Sequence, residues 1–248
     1  MPVLGAFIDA LSWDDAIAQI AAWSAVRESR YICICNVHSV VTAMLDTGFG
    51  TAVNRADMAT PDGAPVAWAL RRLGFPSQER INGPDLMWKY LAEAERLGQT
   101  VFYYGGTEAT LKKLIAAVAR QFPRLQAGVT HSPPFRPLSA QEDEEEVAMI
   151  NGCGAQIVFV GLGCPKQEKW MATHRGRINA VMIGVGAAFD YHAGVIKRAP
   201  VWMQRKGLEW LYRLCLEPRR LLKRYLVTNS LFIVGFSKQL IAGVRSRK

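Results

Sequence analysis

Short runs of β-branched and aromatic residues alternate with helix-length amphipathic stretches almost to residue 196 of this 248-residue chain, and that alternation admits few folds. A strand that is followed by a helix and then by a strand of the same direction must return across a sheet face. Repetition of the unit predicts an α/β fold, a Rossmann-like parallel sheet flanked by helices. Tyr31–Cys35, Thr100–Tyr104, Ala155–Val160 and Ala180–Gly184 are apolar without alternation, the mark of strands buried on both faces. A shorter strand is expected near Ala56–Ala59. Ser12 with Asp15 gives a capping-box start to a helix reaching about Arg27, and Pro84 opens a helix that Gly98 closes. Other helices are expected to run to about Leu73 and about Gln121. Gly128–Pro137, with three prolines, reads as a loop, and Gly186–Pro200 as a shaped one. The acidic run Glu142–Glu146 reads as the solvated first turn of a helix, where negative charge is favourable. Past residue 196 the composition shifts to Trp, Arg and Leu, which divides an α/β domain of residues 1–196 from a C-terminal appendage of residues 197–248.

Charge divides the chain at the same place. From Lys197 to Lys248 there are thirteen Lys or Arg and two acidic residues, Glu209 and Glu217, a net +11; the preceding 196 residues carry −2. A strongly basic segment beside a near-neutral body implies an anionic partner: a phosphorylated ligand, a membrane surface or nucleic acid. Trp202, Trp210, Leu211, Leu214, Leu221, Leu222 and Phe232 interleave with the cations, a mixture suited to one or two amphipathic helices at an anionic membrane surface. A basic nucleic-acid-binding α/β protein is the alternative, and an oligomerisation helix is a third reading. Five cysteines without a CxxC pair, an N-terminus without a basic leader and the lack of a 20-residue apolar run point to a chain kept on the cytoplasmic side without a spanning segment.

In open parallel sheets ligands bind beyond the carboxyl ends of the strands, where helix N-termini present free N–H groups. The polar clusters of this chain fall there: Asn36-Val-His38, Asp62, Gly105-Gly106-Thr107 and Gly161-Leu-Gly163 with Lys166. The glycine turns can bring backbone close to a phosphate or can simply be tight turns. Asp62 stands between Pro61 and Gly63 on a rigid turn, as a fixed general base requires, or as the cap of the next helix. GxGxxG, the Walker pattern and the GxSxG elbow are absent, which counts against a dehydrogenase, a P-loop ATPase and a Ser-triad hydrolase. His38, His131, His174 and His192 lack metal-ligand spacing.

A longer set of motifs carries a resemblance. Asn36-Val-His-Ser39, Pro61-Asp62-Gly63, Glu79-Arg80-Ile-Asn-Gly83-Pro-Asp85, Gly161-Leu-Gly-Cys-Pro-Lys-Gln-Glu168, Phe189-Asp190, Arg198-Ala-Pro200 and Gly207-Leu-Glu-Trp-Leu-Tyr-Arg213 through Glu217-Pro-Arg219 follow one another in that order. This chain resembles the WecG/TagA/CpsF glycosyltransferases from about residue 3 to 225. The resemblance implies inverting, metal-independent transfer from a nucleotide sugar, expected to be a UDP-sugar, to a polyprenol-pyrophosphate-linked acceptor, with no cofactor. It implies Asp62 as the base, with Gln167 of the GLGxPKQE motif and Arg80 lining the same pocket. Further substrate contacts are expected at Asn36, Asp85, Gly105, Gly106, Gly163, Lys166, Asp190 and Arg198. Arg80, Arg213, Arg219 or Arg220 would meet the departing diphosphate, for which a planar guanidinium is suited. Members commonly have Thr two residues before the Asn; this chain has Ile34, so that hydroxyl is missing. Homo-oligomerisation stays open.

Overall fold

The computed structural model describes residues 1–126 and 128–245; Arg247 and Lys248, the end of the expected basic tail, lie outside the described residues. A small hairpin of β1 (Pro2–Val3) and β2 (Ala6–Phe7) precedes the main sheet. That sheet contains β3 (Arg30–Cys35), β4 (Met58–Pro61), β5 (Val101–Gly105), β6 (Val129–His131), β7 (Ile157–Gly161) and β8 (Val181–Gly184). The spatial order is β4-β3-β8-β7-β5-β6 and every pairing is parallel. Successive side chains of a strand point to opposite faces, and both faces are covered. Tyr31, Cys33 and Cys35 join Phe102, Tyr104, Val158 and Val160 in one core, while Ile32, Ile34, Val101, Tyr103, Ile157 and Phe159 join the other. This accounts for the unbroken apolar runs.

The first core is closed by α2 (Val37–Leu45), α3 (Thr47–Asn54), α4 (Ala64–Arg72), α7 (Ala140–Gly152) and α8 (Lys166–His174). The second is closed by α1 (Trp13–Ala25), α5 (Gly83–Leu97), α6 (Glu108–Gln121) and α9 (Ala188–His192). Helix α1 starts with the expected capping box of Ser12 and Asp15, and Gly98 ends α5 in the left-handed conformation, φ +64°.

Three local expectations are corrected. The segment read as a loop from Gly128 contains β6, a three-residue edge strand too short and too exposed to show a pattern. Helix α9 lies inside the segment read as a shaped loop. Glu146 is not solvated: it is buried, accepting from the Tyr104 hydroxyl and pairing with His131 Nε2 at 2.9 Å.

The C-terminal segment forms α10 (Val201–Arg205), α11 (Glu209–Leu216) and the 28-residue α12 (Pro218–Arg245). Helix α12 returns across the body beside α2, burying Leu221, Phe232 and Phe236; Phe236 meets Trp68 edge-on at 5.7 Å. Gln239 ties the helix to the hairpin, accepting from Leu4 N–H at 2.9 Å and donating to the Pro2 carbonyl at 2.8 Å. Leu222, Leu226, Ile233 and Val234 stay exposed on the same helix. No helix among the described residues is long and apolar enough to cross a membrane. Phe236→Ala is expected to remove about 3 kcal/mol or more of packing and to raise amide exchange along residues 218–240 before the sheet is affected. Unchanged exchange there would show that docking of α12 does not depend on this ring.

Candidate active site

The carboxyl ends of β3, β4, β7 and β8 open into a cleft of about 480 Å³, and residues of α11 and α12 close its far side. Such a volume suits a small-molecule site. Its position follows from the sheet order: β3 leads outward to β4, and the chain then crosses to the other side of β3, so the loops part at this point.

Asp62 sits on the turn after β4, its N–H bonded to the Cys35 carbonyl at 2.9 Å, while Ile81 N–H reaches the Pro61 carbonyl at 2.9 Å and fixes the strand end. Gly63, at φ +82°, is the cap residue of α4 and no side chain caps that helix, so the capping alternative for Asp62 falls away and its carboxyl faces the cleft. Burial raises this carboxyl to about 6, against the pull of Arg80, with Glu209 adding to the rise and the Gly63 N–H and Arg213 opposing it.

Gln167 is buried; its Oε1 accepts from Gly163 N–H at 3.2 Å and its Nε2 donates to Glu168 Oε1 at 3.0 Å. A Cβ on Gly184 would come within 3.0 Å of that Nε2, so the glycine makes room for the amide. Glu168 is pushed upward by burial, and its Oε2 is buried without a protein partner. Asn36 caps α2 through Ser39 N–H at 3.2 Å and also lines the cleft. Arg80 Nη1 donates to Glu209 Oε2 at 2.9 Å. Arg213 lies over the Tyr191 ring at 5.8 Å, Arg220 pairs with Glu217 at 2.6 Å, and burial raises Asp190. The fold thus gathers Asn36, Asp62, Arg80, Gly163, Gln167, Asp190, Arg213 and Arg220 around one space.

Other expected contacts lie off the cleft wall. Gly105 is a packing glycine, since a Cβ there would come within 2.8 Å of the Gly161 carbonyl carbon, while Gly106 is set by its φ of +74° at the turn before α6. Asp85 and Arg198 are spent on each other, with Asn82 and Glu209 completing the set. Lys166, at the first position of α8, and Arg219 on α12 point to the exterior. Sequence reading passed over Glu168, Glu209, Glu217 and Arg224 as site residues, although all line the cleft. Glu209 and Glu217 carried a usable clue, being the two acids of a basic segment. Arg224 carried none; its Nε is buried without a partner and it faces His38, which it and burial hold below the ordinary histidine range.

The family model for the glycosyl transferase WecG/TagA/CpsF family matches residues 1–246. A protein of Bacillus spizizenii strain W23, named N-acetylglucosaminyldiphosphoundecaprenol N-acetyl-beta-D-mannosaminyltransferase, is 34% identical over 197 residues, covering 78% of this chain and 74% of its own length. A protein of the same name from Staphylococcus aureus strain NCTC 8325 is 30% identical over 222 residues, 88% of this chain and 85% of its own.

A carboxyl raised above its unfolded value costs stability once both states are ionised, and costs nothing when both are protonated. Asp62→Asn is therefore expected to unfold at higher temperature than the parent at about pH 8, with the gap closing as pH falls through about 6 to about 4. Thermal melts across that range check it; a gap independent of pH would contradict burial as the cause.

Proposed function

Because the chain belongs to the WecG/TagA/CpsF glycosyl transferase family, we propose that it moves a sugar, with inversion, from a UDP-sugar to a glycan carried on polyprenyl diphosphate. The observation that carries this reading is the placement of Asp62, raised to about 6, at a strand end in a cleft whose opposite wall supplies Arg213, Arg220 and Arg224. The names of the relatives describe transfer of N-acetylmannosamine to N-acetylglucosaminyl-diphosphoundecaprenol, which makes UDP-N-acetylmannosamine the first donor to test.

In a single displacement the acceptor oxygen attacks the anomeric carbon while Asp62 takes the hydroxyl proton. The bond from that carbon to the nucleotide breaks, and the diphosphate leaves with the electron pair. A base poised near the working pH serves the first event, and fixed cations serve the second. In this reading the charge that a metal ion supplies in other transferases comes from Arg80, Arg213, Arg220 and Arg224, and Gln167, held by Gly163 and Glu168, meets the donor.

The acceptor's lipid keeps the reaction at a membrane, and we place the enzyme peripherally on the inner face. Support comes from exposed Trp202, Trp210, Leu222, Leu226 and Ile233 on a segment of net +11. Each Lys or Arg near an anionic surface is worth roughly 1 kcal/mol, enough collectively for anchoring.

Incubation with a panel of UDP- and GDP-sugars and a lipid-linked acceptor, read as nucleoside diphosphate release, tests the reading. Asp62→Asn should lower turnover by about 10²–10⁴ while donor binding persists. For the parent, kcat/KM should fall about tenfold per pH unit below about 6, where the base is protonated. A folded Asp62→Asn protein with near-parental turnover would remove Asp62 from the role. Sedimentation with anionic liposomes, against binding to an oligonucleotide at matched salt, tests the membrane assignment.

A further inference from the structure

The basic C-terminal segment contains two carboxylates, and both line the cleft rather than the exterior. A pocket for a diphosphate is weakened by acidic side chains, so each needs a reason. Glu217 has a local one, an i,i+3 pair with Arg220 on the same stretch of chain. Glu209 has none of that kind. From the first turn of α11 it reaches Arg80, 129 residues away, at 2.9 Å, and Arg198 Nε at 3.2 Å, while Arg198 is forked onto Asp85. Arg80 and Glu209 side chains are only 19% and 16% exposed, so the pair is shielded from the screening that weakens surface pairs. The two also face Asp62 with opposite sign.

We propose that Glu209 is a positioning residue: its carboxylate, brought in on α11, holds Arg80 and offsets its charge, so that docking of the C-terminal segment sets the basicity of Asp62. The proposal rests on the transferase reading for its purpose, since a base beside an unopposed guanidinium is a weak acceptor for a sugar hydroxyl proton. The groups that act most on Asp62 are Arg80 from the connection between α4 and α5, Glu209 and Arg213 from α11, and the Gly63 N–H at the start of α4; the nearby Cys35 thiol at the end of β3 is kept protonated by burial. Glu209 is the one carboxylate among them, and it arrives only with α11. A chain with α11 undocked would lose Glu209 and Arg213 together. A chain with Glu209 neutralised in place keeps Arg213 and frees Arg80. Both cases lower Asp62, the first chiefly by relieving its burial and the second through charge alone, and amide exchange along α11 tells them apart.

The test uses full-length protein with ¹³C-labelled aspartate carboxyls, the Asp62 resonance being assigned by its loss in Asp62→Asn. In Glu209→Gln the titration midpoint of Asp62 should fall by about half to one pH unit, and Glu209→Asp should bring it back toward the parent. The acid limb of kcat/KM should move in the same direction. A midpoint that stays or rises would overturn the proposal, and so would a fall accompanied by faster amide exchange along α11, because undocking that helix would itself lower Asp62 by relieving its burial. Should Glu209→Gln fail to fold because Arg80 is left unpaired, the change is made on an Arg80→Gln background, where the midpoint should again fall. The titration does not depend on turnover. A lowered midpoint in a protein that releases no nucleoside diphosphate would reject the transferase reading alone, and an active enzyme with an unmoved midpoint would reject this inference alone.

Discussion

A sheet whose strands all run one way and whose two faces are both covered by helices leaves a single place for polar chemistry, the rim where the strands end. Everything distinctive about this molecule follows from that constraint. Along β3 the side chains of Tyr31 to Cys35 are committed to one core or the other, and the first polar side chain to line the cleft is Asn36. The same holds on β4, where Pro61 is buried and Asp62 is the first group beyond it. Burial at the rim raises Asp62 and Glu168 instead of leaving them as ordinary surface carboxylates.

Charge then divides the labour around the rim. Arg213, Arg220 and Arg224 reach the cleft from the C-terminal helices, and Asp62, Glu168 and Arg80 from the sheet side, so its walls come from different parts of the chain. The acids of the C-terminal segment temper this separation. Glu209 gives the shielded guanidiniums of Arg80 and Arg198 a partner, and Asp85 completes the chain of pairs. A buried guanidinium with no partner would be costly.

The strongest strands were legible because a doubly buried strand needs a run of apolar residues, and β3, β5, β7 and β8 are such runs. Strand β6 was hidden because three half-exposed residues at a sheet edge need no pattern, and α9 because five residues among glycines read as a turn. At the site, Asp62 and Gln167 could be placed because their motifs fix backbone geometry and the resemblance marked them. Gly105 was ambiguous because positive φ looks the same in a phosphate loop and in the close approach it makes to Gly161 of the neighbouring strand. The fates of Asp85 and Arg198 depended on their pairing with each other across 113 positions, which spacing does not encode. Glu146 belongs to the same group: its position in an acidic run concealed a burial imposed by Tyr104 and His131.

The bracket between the first residues and α12, where Leu4 meets Gln239 across 235 positions, has a bearing on the order of assembly. Contacts that close long stretches of chain carry the largest entropic cost and form late. Strands β3 to β8 and the Asp62 turn can settle while the C-terminal helices are still unmade on the ribosome. The wall bearing Arg213, Arg220 and Arg224 is added last, so a chain made only through β8 can hold the formed sheet with Asp62 open to water and without those three guanidiniums.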